Sequence, residues 1–432
     1  MTWVQRHRLR EYVVSSLWLP PVVTLVAAFA VAPVIRWIDA STRWPLLGFP
    51  LDGARNVVGT ITASALAFIV FAFSMVLVAV QIASAQLSPR VVAAALRDRP
   101  LRITLGLFVF TFLYGTIVLA RLVEPVAQLP VLVAIACMIA SVCGLVFLID
   151  HMARTLRPVG VLDAVTTAGL AAIERMHPER LDERAPTRGR LRFAELGAPT
   201  RVVPHAGRAG VVLALDTAGL IAAAERAACV IELVPHVGDY IGAGMPLFRV
   251  FQGGSELDDE TLRGSVAIGP ERTVEQDPAF AFRIAVDIAE KALSAAINDP
   301  TTAVIAIDHL QYLLHTVGQR RLDHAGLIDR AGKVRLFVHA PSWDDYVELA
   351  VTEIRLYGAQ SMTVVRRLRF MLESLMTVLP AERHAALRTE LDVLAPIVDR
   401  AFVEAADCAR AAVADPQGLG GSEERLAEEA AR

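Results

Sequence analysis

The chain of 432 residues is 54% hydrophobic and only 20% charged, with a mean hydropathy of +0.47. That average is too apolar for an ordinary soluble protein of two or three domains and points to bilayer segments. The net charge of −3, from 42 Lys+Arg against 45 Asp+Glu, excludes the basic signature of a nucleic-acid binder. Cys137, Cys143, Cys229 and Cys408 are too scattered for a disulfide framework or a zinc knuckle.

Four apolar runs precede Asp150: Leu17–Ile35, Val57–Ile82, Ile103–Ala120 and Leu129–Ile149. Each is long enough to cross a hydrocarbon core of about 30 Å, and the second is longer than a minimal span, so it tilts or protrudes. The first is not read as a cleaved signal, because further spans follow it directly. Arg6, Arg8 and Arg10 precede the first span, and Arg90, Arg97, Arg99 and Arg102 crowd the second connection. The first connection spreads Arg36, Arg43 and Arg55 over a longer stretch with Asp39 and Asp52, and the third has Arg121 and Glu124. The bias predicts a multi-pass protein of the bacterial cytoplasmic (inner) membrane with both termini cytoplasmic.

On a helical period the second span gathers Thr60, Ala63, Ala67, Val70, Ser74, Leu77, Gln81, Ser84 and Ser88 on one face. That face is small and polar while the others are rich in Phe, Ile, Val and Leu. Its inner end, Gln81-Ile-Ala-Ser84-Ala-Gln86-Leu-Ser88-Pro89-Arg90, keeps amides and hydroxyls that must face protein or water. Two readings stay open: a face that holds helices together, or a water-lined path around a symmetry axis with Thr60, Ser74, Gln81, Ser84 and Ser88 lining it. A proton relay is disfavoured, since the span has no Asp, Glu, Lys or His. In the third span Thr111 and Gly115 are spaced for close helix contact, and Asp150 and His151 end the fourth beside Arg154 and Arg157, as an interfacial ion pair or as a gate.

From Arg154 to Arg175 the pattern suggests an amphipathic helix along the membrane surface, broken early by Pro158 and Gly160. Strands are predicted at 201–203, 211–215 and 230–234 around a helix over 217–228. The segment from Val237 to Val250, with Gly238, Gly242 and Gly244, reads as the closing hairpin of a small barrel-sandwich module of the biotinyl or lipoyl type. It has no lysine to carry a cofactor, so none is expected. Asp277 before Pro278 and Asp299 before Pro300 are helix-start signals for helices over 278–296 and 300–317.

The stretch Arg272-Thr-Val-Glu-Gln-Asp277-Pro-Ala-Phe-Ala-Phe-Arg283, continued by Asn298-Asp299-Pro300-Thr301-Thr302-Ala303, closely resembles an uncharacterised bacterial family of predicted membrane proteins, domain of unknown function 2254. Gln81–Arg90 resembles the same family's second span. The resemblance covers nearly the whole chain, roughly Leu17 to Ala411. It implies amino-terminal spans plus a soluble domain and brings no catalytic residues. Arg272, Asp277, Arg283, Asp287, Asn298, Asp299 and Thr302 form either a capping and salt-bridge network or a ligand site at two helix starts.

Nothing recommends an enzyme: there is no Gly-x-Ser-x-Gly elbow, phosphate loop or His-Glu-x-x-His pair, and His205, His236, His309, His315 and His339 lack metal-site spacing. Farther on, a strand over 334–339 and helices over 345–357, 362–378 and 381–413 are predicted, with Arg366, Arg367 and Arg369 as a solvated basic face, and the end as a disordered tail.

The expected fold class is a polytopic α-helical membrane domain of four transmembrane helices, followed by a cytoplasmic α/β region with a small barrel-sandwich-like β module and a helical domain. Its divisions are 1–158 (spans), 159–198 (connector), 199–270 (β module), 271–330 (paired helices), 331–415 (α/β to helical) and 416–432 (tail). The functional expectation is a homo-oligomeric channel or pore for small ions, in contact with membrane lipids and not with nucleic acid, and without cofactor or metal. The alternative is a membrane-anchored sensory or scaffolding protein whose cytoplasmic domain binds a ligand or partner.

Overall fold

The computed structural model describes residues 3–16, 19–42, 48–86, 99–155, 157–181, 193–322 and 326–419. The chain divides into two compact units, Arg10–Gly160 and Met1–Leu9 with Val161–Arg432.

After a leading helix α1 (Trp3–Ser15), the first unit holds α2 (Leu19–Thr42), α3 (Leu51–Gln86), α4 (Arg99–Ala120) and α5 (Gln128–Thr155). All four of the latter contain a stretch long and apolar enough to span a membrane: Leu19–Thr42, Leu51–Val78, Pro100–Ala120 and Gln128–Thr155. The helices outrun the apolar runs. Arg36 and Arg55, read in sequence as parts of the first connection, stand on α2 and α3. The apolar run marks the part that prefers lipid, whereas the backbone keeps its helical hydrogen bonds on into the interface.

Small residues set the close approaches. Gly106 of α4 lies against Thr24 and Pro20 of α2, and Gly115 against the side chain of Thr62 on α3. The hydroxyls of Thr111 on α4 and Ser141 on α5 are 2.9 Å apart. Thr111 and Gly115, four residues apart, therefore serve two different neighbours, α5 and α3. At the end of α5, Asp150 pairs with Arg154, and His151 stacks on Phe147 with centroids 5.8 Å apart.

The second unit begins with α6 (Pro158–Met176), and the break before it falls at the predicted proline. Its apolar stripe, including Leu162, Thr166, Gly169 and Ile173, is buried. A Cβ at Gly169 would stand 2.7 Å from Ala281 and 3.0 Å from Leu313, so bare backbone lets α6 lie on the two helices that carry them. Protein takes up this stripe where the sequence suggested a membrane surface.

Strands β1 (Arg201–Pro204), β2 (Gly210–Leu215) and β3 (Val230–Leu233) fall where the β-branched runs predict them, with α7 (Thr217–Arg226) between the last two. Asp216 caps α7 by accepting the Gly219 N–H at 2.9 Å. Then come β4 (Tyr240–Ile241), β5 (Pro246–Phe251), α8 (Asp259–Arg263), β6 (Val266–Gly269), α9 (Pro278–Leu293), α10 (Pro300–Gly318), β7 (Leu327–Ile328) and β8 (Val334–Val338). One sheet has the order β1-β5-β3-β8-β7 and the other β4-β2-β6. All pairings are antiparallel except β3 with β8, which is parallel and needs the long helical crossover between them.

The 237–250 segment departs from its reading as a closing hairpin. β4 pairs with β2 and β5 with β1 and β3, so the two strands belong to different sheets and no closed barrel forms. The positive φ of Gly238 (97°) and Gly244 (81°) turns the chain from one sheet to the other. Both sheets contribute to one core around Val212, Leu215, Ile231, Leu233, Phe248 and Val250.

The helical part continues with α11 (Trp343–Gly358), α12 (Met362–Val378), α13 (His384–Ala401) and α14 (Ala405–Ala411). Ser342 and Asp345 form a capping box, so α11 starts two residues before the position read from sequence. The single helix predicted over 381–413 is two, interrupted at Phe402–Glu404. α9 is enclosed on almost every side, with Phe280, Phe282, Ile284, Val286 and Ile288 all buried. It lies between α10 and α11, and Phe282 meets Tyr346 of α11 at 5.1 Å between ring centroids.

The basic group on α12 corrects its sequence reading. Arg366 and Arg367 are only 4% and 9% exposed. Arg366 Nε donates to the Val413 carbonyl at 2.9 Å, and Arg367 Nη1 donates to those of Asp415 (3.2 Å) and Pro416 (2.7 Å). Arg367 Nε also reaches Asp308 of α10 at 2.5 Å. These guanidiniums fasten the 413–418 segment instead of facing solvent, because the carbonyls of Val413, Asp415 and Pro416 stand within reach of their forks.

Candidate functional site

Two regions carry the polar residues singled out in the sequence, one in each unit. In the first, Thr60, Ala63, Ala67, Val70, Ser74, Leu77 and Gln81 of α3 are all exposed in the single chain, whereas Ala54, Val58, Ile61, Ala65, Ala72 and Val76 on the other side are buried against the bundle. The polar face therefore does not hold this bundle together. Asn56, one turn earlier, is exposed on the same line. From Asn56 to Gln81 the spacing alternates between four and three residues, the 3.5-residue period of a helix seam that meets another helix at a shallow left-handed crossing.

Bulky apolar residues flank this line on both sides, Leu66 and Phe73 on one and Phe71 and Val78 on the other, and all four are exposed as lipid contact requires. Thr60 Oγ1 donates to the Asn56 carbonyl at 2.8 Å and Ser74 Oγ to that of Val70 at 2.9 Å. Each hydroxyl proton is thus used within the helix, and the oxygen lone pairs stay available as acceptors. Ser84 lies in α3; Ser88 lies outside the described residues.

In the second unit the residues of the paired-helix motif separate into three groups. Asp277 caps α9: its Oδ1 accepts the Phe280 N–H at 3.2 Å, and its Oδ2 accepts Arg272 Nε at 2.9 Å and Nη2 at 2.7 Å. The Arg272 guanidinium also lies over the Phe280 ring, 5.5 Å from its centroid. Burial pushes the Asp277 carboxyl above its usual range, and Arg272 opposes that shift.

A third of the way along α9, Arg283 is held by three carboxylates. Nε donates to Asp287 at 2.6 Å, Nη2 to Glu290 at 3.3 Å and Nη1 to Glu353 of α11. Glu290 is pushed up to about 7, first by burial and then by its hydrogen bond to Glu353. Glu353 is held below the usual range, first by that same bond, with burial opposing it and Arg283 adding to the lowering. The pair shares a proton near neutrality and the more enclosed Glu290 keeps it.

The Asn298-Asp299-Pro300-Thr301-Thr302 motif makes the reversal from α9 to α10. Asn298 adopts a left-handed conformation at φ 48°, and the Asp299 N–H donates back to the Ala292 carbonyl at 2.8 Å. Asp299 then caps α10, accepting the Thr302 N–H at 3.1 Å and the Thr302 hydroxyl at 2.6 Å. Asn298 supplies the left-handed backbone, Asp299 and Thr302 the cap, and Pro300 the first helical position.

Sequence reasoning missed Glu290 and Glu353. Glu290 stands seven residues after Arg283, on the same helical face, and that spacing could have been read. Glu353 is brought in only by the packing of α11. Also missed was buried Glu232 of β3, which accepts His339 Nε2 at 2.9 Å and pairs with Arg249 at 3.3 Å, its cross-strand neighbour on β5. His309 is 2.9 Å from the Thr166 hydroxyl, a contact between α10 and α6. Among the described residues no cluster of His, Cys, Asp and Glu has the make-up of a metal site.

The family model described as "Predicted membrane protein (DUF2254)" matches residues 14–374, which takes in all the spans and the motif around Asp299. The chain belongs to that family. Among its relatives, an uncharacterized protein of Mycobacterium bovis and one of Mycobacterium tuberculosis strain H37Rv are each 28% identical to it over 427 residues, covering 93% of this chain and 80% of theirs. No solved structure matches the chain. The segment that Arg366 and Arg367 fasten, 413–418, lies beyond the matched stretch, although both arginines lie within it.

Proposed function

We propose that this member of the family is a homo-oligomeric channel for small cations in the bacterial cytoplasmic membrane, with α3 of each copy turned toward a common axis. The observation that carries the reading is the division of the outward surface of α3. One line, from Asn56 to Gln81, is small or polar except at Val70 and Leu77 and is spaced as a helix seam, while the positions flanking it on both sides are bulky and apolar. Lipid has no use for that line, whereas a second copy or a wet path does. With their protons donated inside the helix, Thr60 and Ser74 present acceptor oxygens, and Gln81 adds an amide oxygen; such groups replace part of a cation's hydration shell. On the orientation given by the arginine bias, the α/β unit lies on the cytoplasmic side as vestibule and regulator. In this reading its two sheets act as a barrel-sandwich-like scaffold without a carrier lysine.

A second reading, a membrane-anchored sensor or scaffold, takes support from Arg283 and its carboxylates, since Glu353 is 42% exposed and can answer a ligand or partner. Cross-linking in native membranes separates the seam of α3 from its flank. In a chain with its four cysteines replaced, Ala67→Cys or Ser74→Cys gives disulfide-linked dimers on mild oxidation and Phe73→Cys does not. Equal cross-linking at all three positions, or none, contradicts the proposed use of the seam.

A further inference from the structure

At the Ala120 end of the first unit a cleft of about 430 Å³, open mouth included, lies between α2, α4 and the connection to α5. Its walls are apolar, with Ile117, Val118, Leu122 and Pro130, but Arg36 and Arg121 line it as well. They arrive from different elements. Among the described residues neither guanidinium has a hydrogen bond or an ion pair.

The carboxylates near them in sequence are committed elsewhere or stand apart. Asp39 Oδ1 accepts the Leu129 N–H at 2.8 Å and so caps α5, and exposed Glu124 is within ion-pair distance of neither arginine. Arg36 stands about 26 Å along α2 from Leu19 at a rise of ~1.5 Å per residue, which is the depth where a hydrocarbon core of about 30 Å gives way to phosphates. Trp37, beside Arg36, and Val123, two residues after Arg121, are 72% and 57% exposed, as surfaces that touch acyl chains are. This end is also the one from which the arginine bias should keep positive charge away, so two converging cations there are against the trend that orients the protein.

We propose that this cleft is a binding site for the headgroup of an anionic phospholipid, with the phosphate between Arg36 and Arg121 and the acyl chains along the outside of α2 and α4. A guanidinium pair suits a phosphate oxyanion, and the apolar walls suit the glycerol and first methylenes. A free anion in water would gain little from those walls.

The test uses the full chain in detergent and follows its thermal unfolding midpoint with added phosphatidylglycerol, phosphatidylcholine or inorganic phosphate. Phosphatidylglycerol raises the midpoint by about 5 °C at saturation, and phosphatidylcholine and inorganic phosphate leave it in place. The R36Q/R121Q variant loses the shift. Val123→Glu, an exposed change that keeps both arginines, loses it too, which guards against a misfolded double variant. A full shift retained in either variant, a shift with phosphatidylcholine or inorganic phosphate as large as that with phosphatidylglycerol, or no shift in the parent chain overturns the proposal.

Discussion

Asp277 and Asp299 begin consecutive helices in the same way, each accepting the backbone N–H three residues on, yet they stand at opposite ends of α9. With 16 residues in α9, that is a separation of roughly 24 Å along its axis. The motif residues thus do not converge on one ligand, and the two aspartates differ in what they hold. Asp277 is 4% exposed and neutralises Arg272, whereas the partly exposed Asp299 caps α10 and holds the Thr302 hydroxyl.

Truncation should separate them. Asp299→Ala is expected to cost about 1–2 kcal/mol, the value of a cap. Asp277→Ala is expected to cost more, about 2–3 kcal/mol, because it also takes two charge-assisted hydrogen bonds from the Arg272 guanidinium, which is 38% exposed. Thermal unfolding of the detergent-solubilised chain ranks the two, and equal losses would show that Arg272 contributes nothing.

The left-handed turn gives a sharper contrast at one position. Asn298→Gly should be nearly neutral, since glycine adopts the 48° φ freely. Asn298→Val should lose about 1–2 kcal/mol, because a β-branched side chain crowds the backbone there. Unfolding midpoints of the two variants check this, and a tolerated valine would contradict the conformational account of the motif.

Packing of α6 is tested at Gly169. Gly169→Val places methyl groups where even a Cβ is 2.7 Å from Ala281, and overpacking of this kind costs about 1–3 kcal/mol. Limited proteolysis of the variant should cut earlier within 158–176 than in the parent chain. Unchanged cleavage and stability would mean that α6 does not rest on α9.

The Arg283 cluster predicts a pH dependence of known sign. Unfolded, Glu290 titrates near 4.5; folded, it holds its proton up to about 7. Between these values the folded chain binds the extra proton, so the contribution is full below the lower value and is lost as pH rises through the upper one. Stability should therefore fall from pH 5.5 to pH 8 through this group by on the order of 1–2 kcal/mol. Glu290→Gln, which needs no proton, should flatten that part of the profile. A Glu290→Gln variant with the parent's full slope would remove Glu290 as its source.

Much of the fold was legible because it rests on local rules. The apolar runs marked the four spanning helices, Asp-Pro pairs marked the starts of α9 and α10, and β-branched runs marked β1 to β3. What was not legible depends on partners distant in the chain. Arg366 and Arg367 read as solvent-facing until the 413–418 carbonyls are laid against them, and Glu353 joins Arg283 only across 70 residues. Val237–Val250 has the turns of a hairpin, but β4 pairs with β2 in one sheet while β5 is inserted between β1 and β3 in the other. For the face on α3, the residue types showed its polarity; that it is turned away from its own bundle required the packing of α4.

Arg367→Ala follows from the same reasoning. It removes two carbonyl contacts and the pair with Asp308, and should free the 413–419 segment for cleavage by carboxypeptidase while the rest of the chain stays folded. Resistance equal to the parent chain would show that Arg366 and Asp415 suffice to hold it.

The central claim, that the small polar sector of α3 lines a conducting path, is tested most directly by ion currents. Purified protein is reconstituted in planar bilayers, and the parent chain is compared with the Gln81→Leu/Ser84→Leu variant at equal amounts of folded oligomer. Unitary cation currents in the parent chain, abolished or reduced at least tenfold in the variant, are the predicted result. Conductance unaltered by both substitutions, or silence of the folded parent oligomer across voltages and common salts, would contradict it and leave the sensor or scaffold reading in its place.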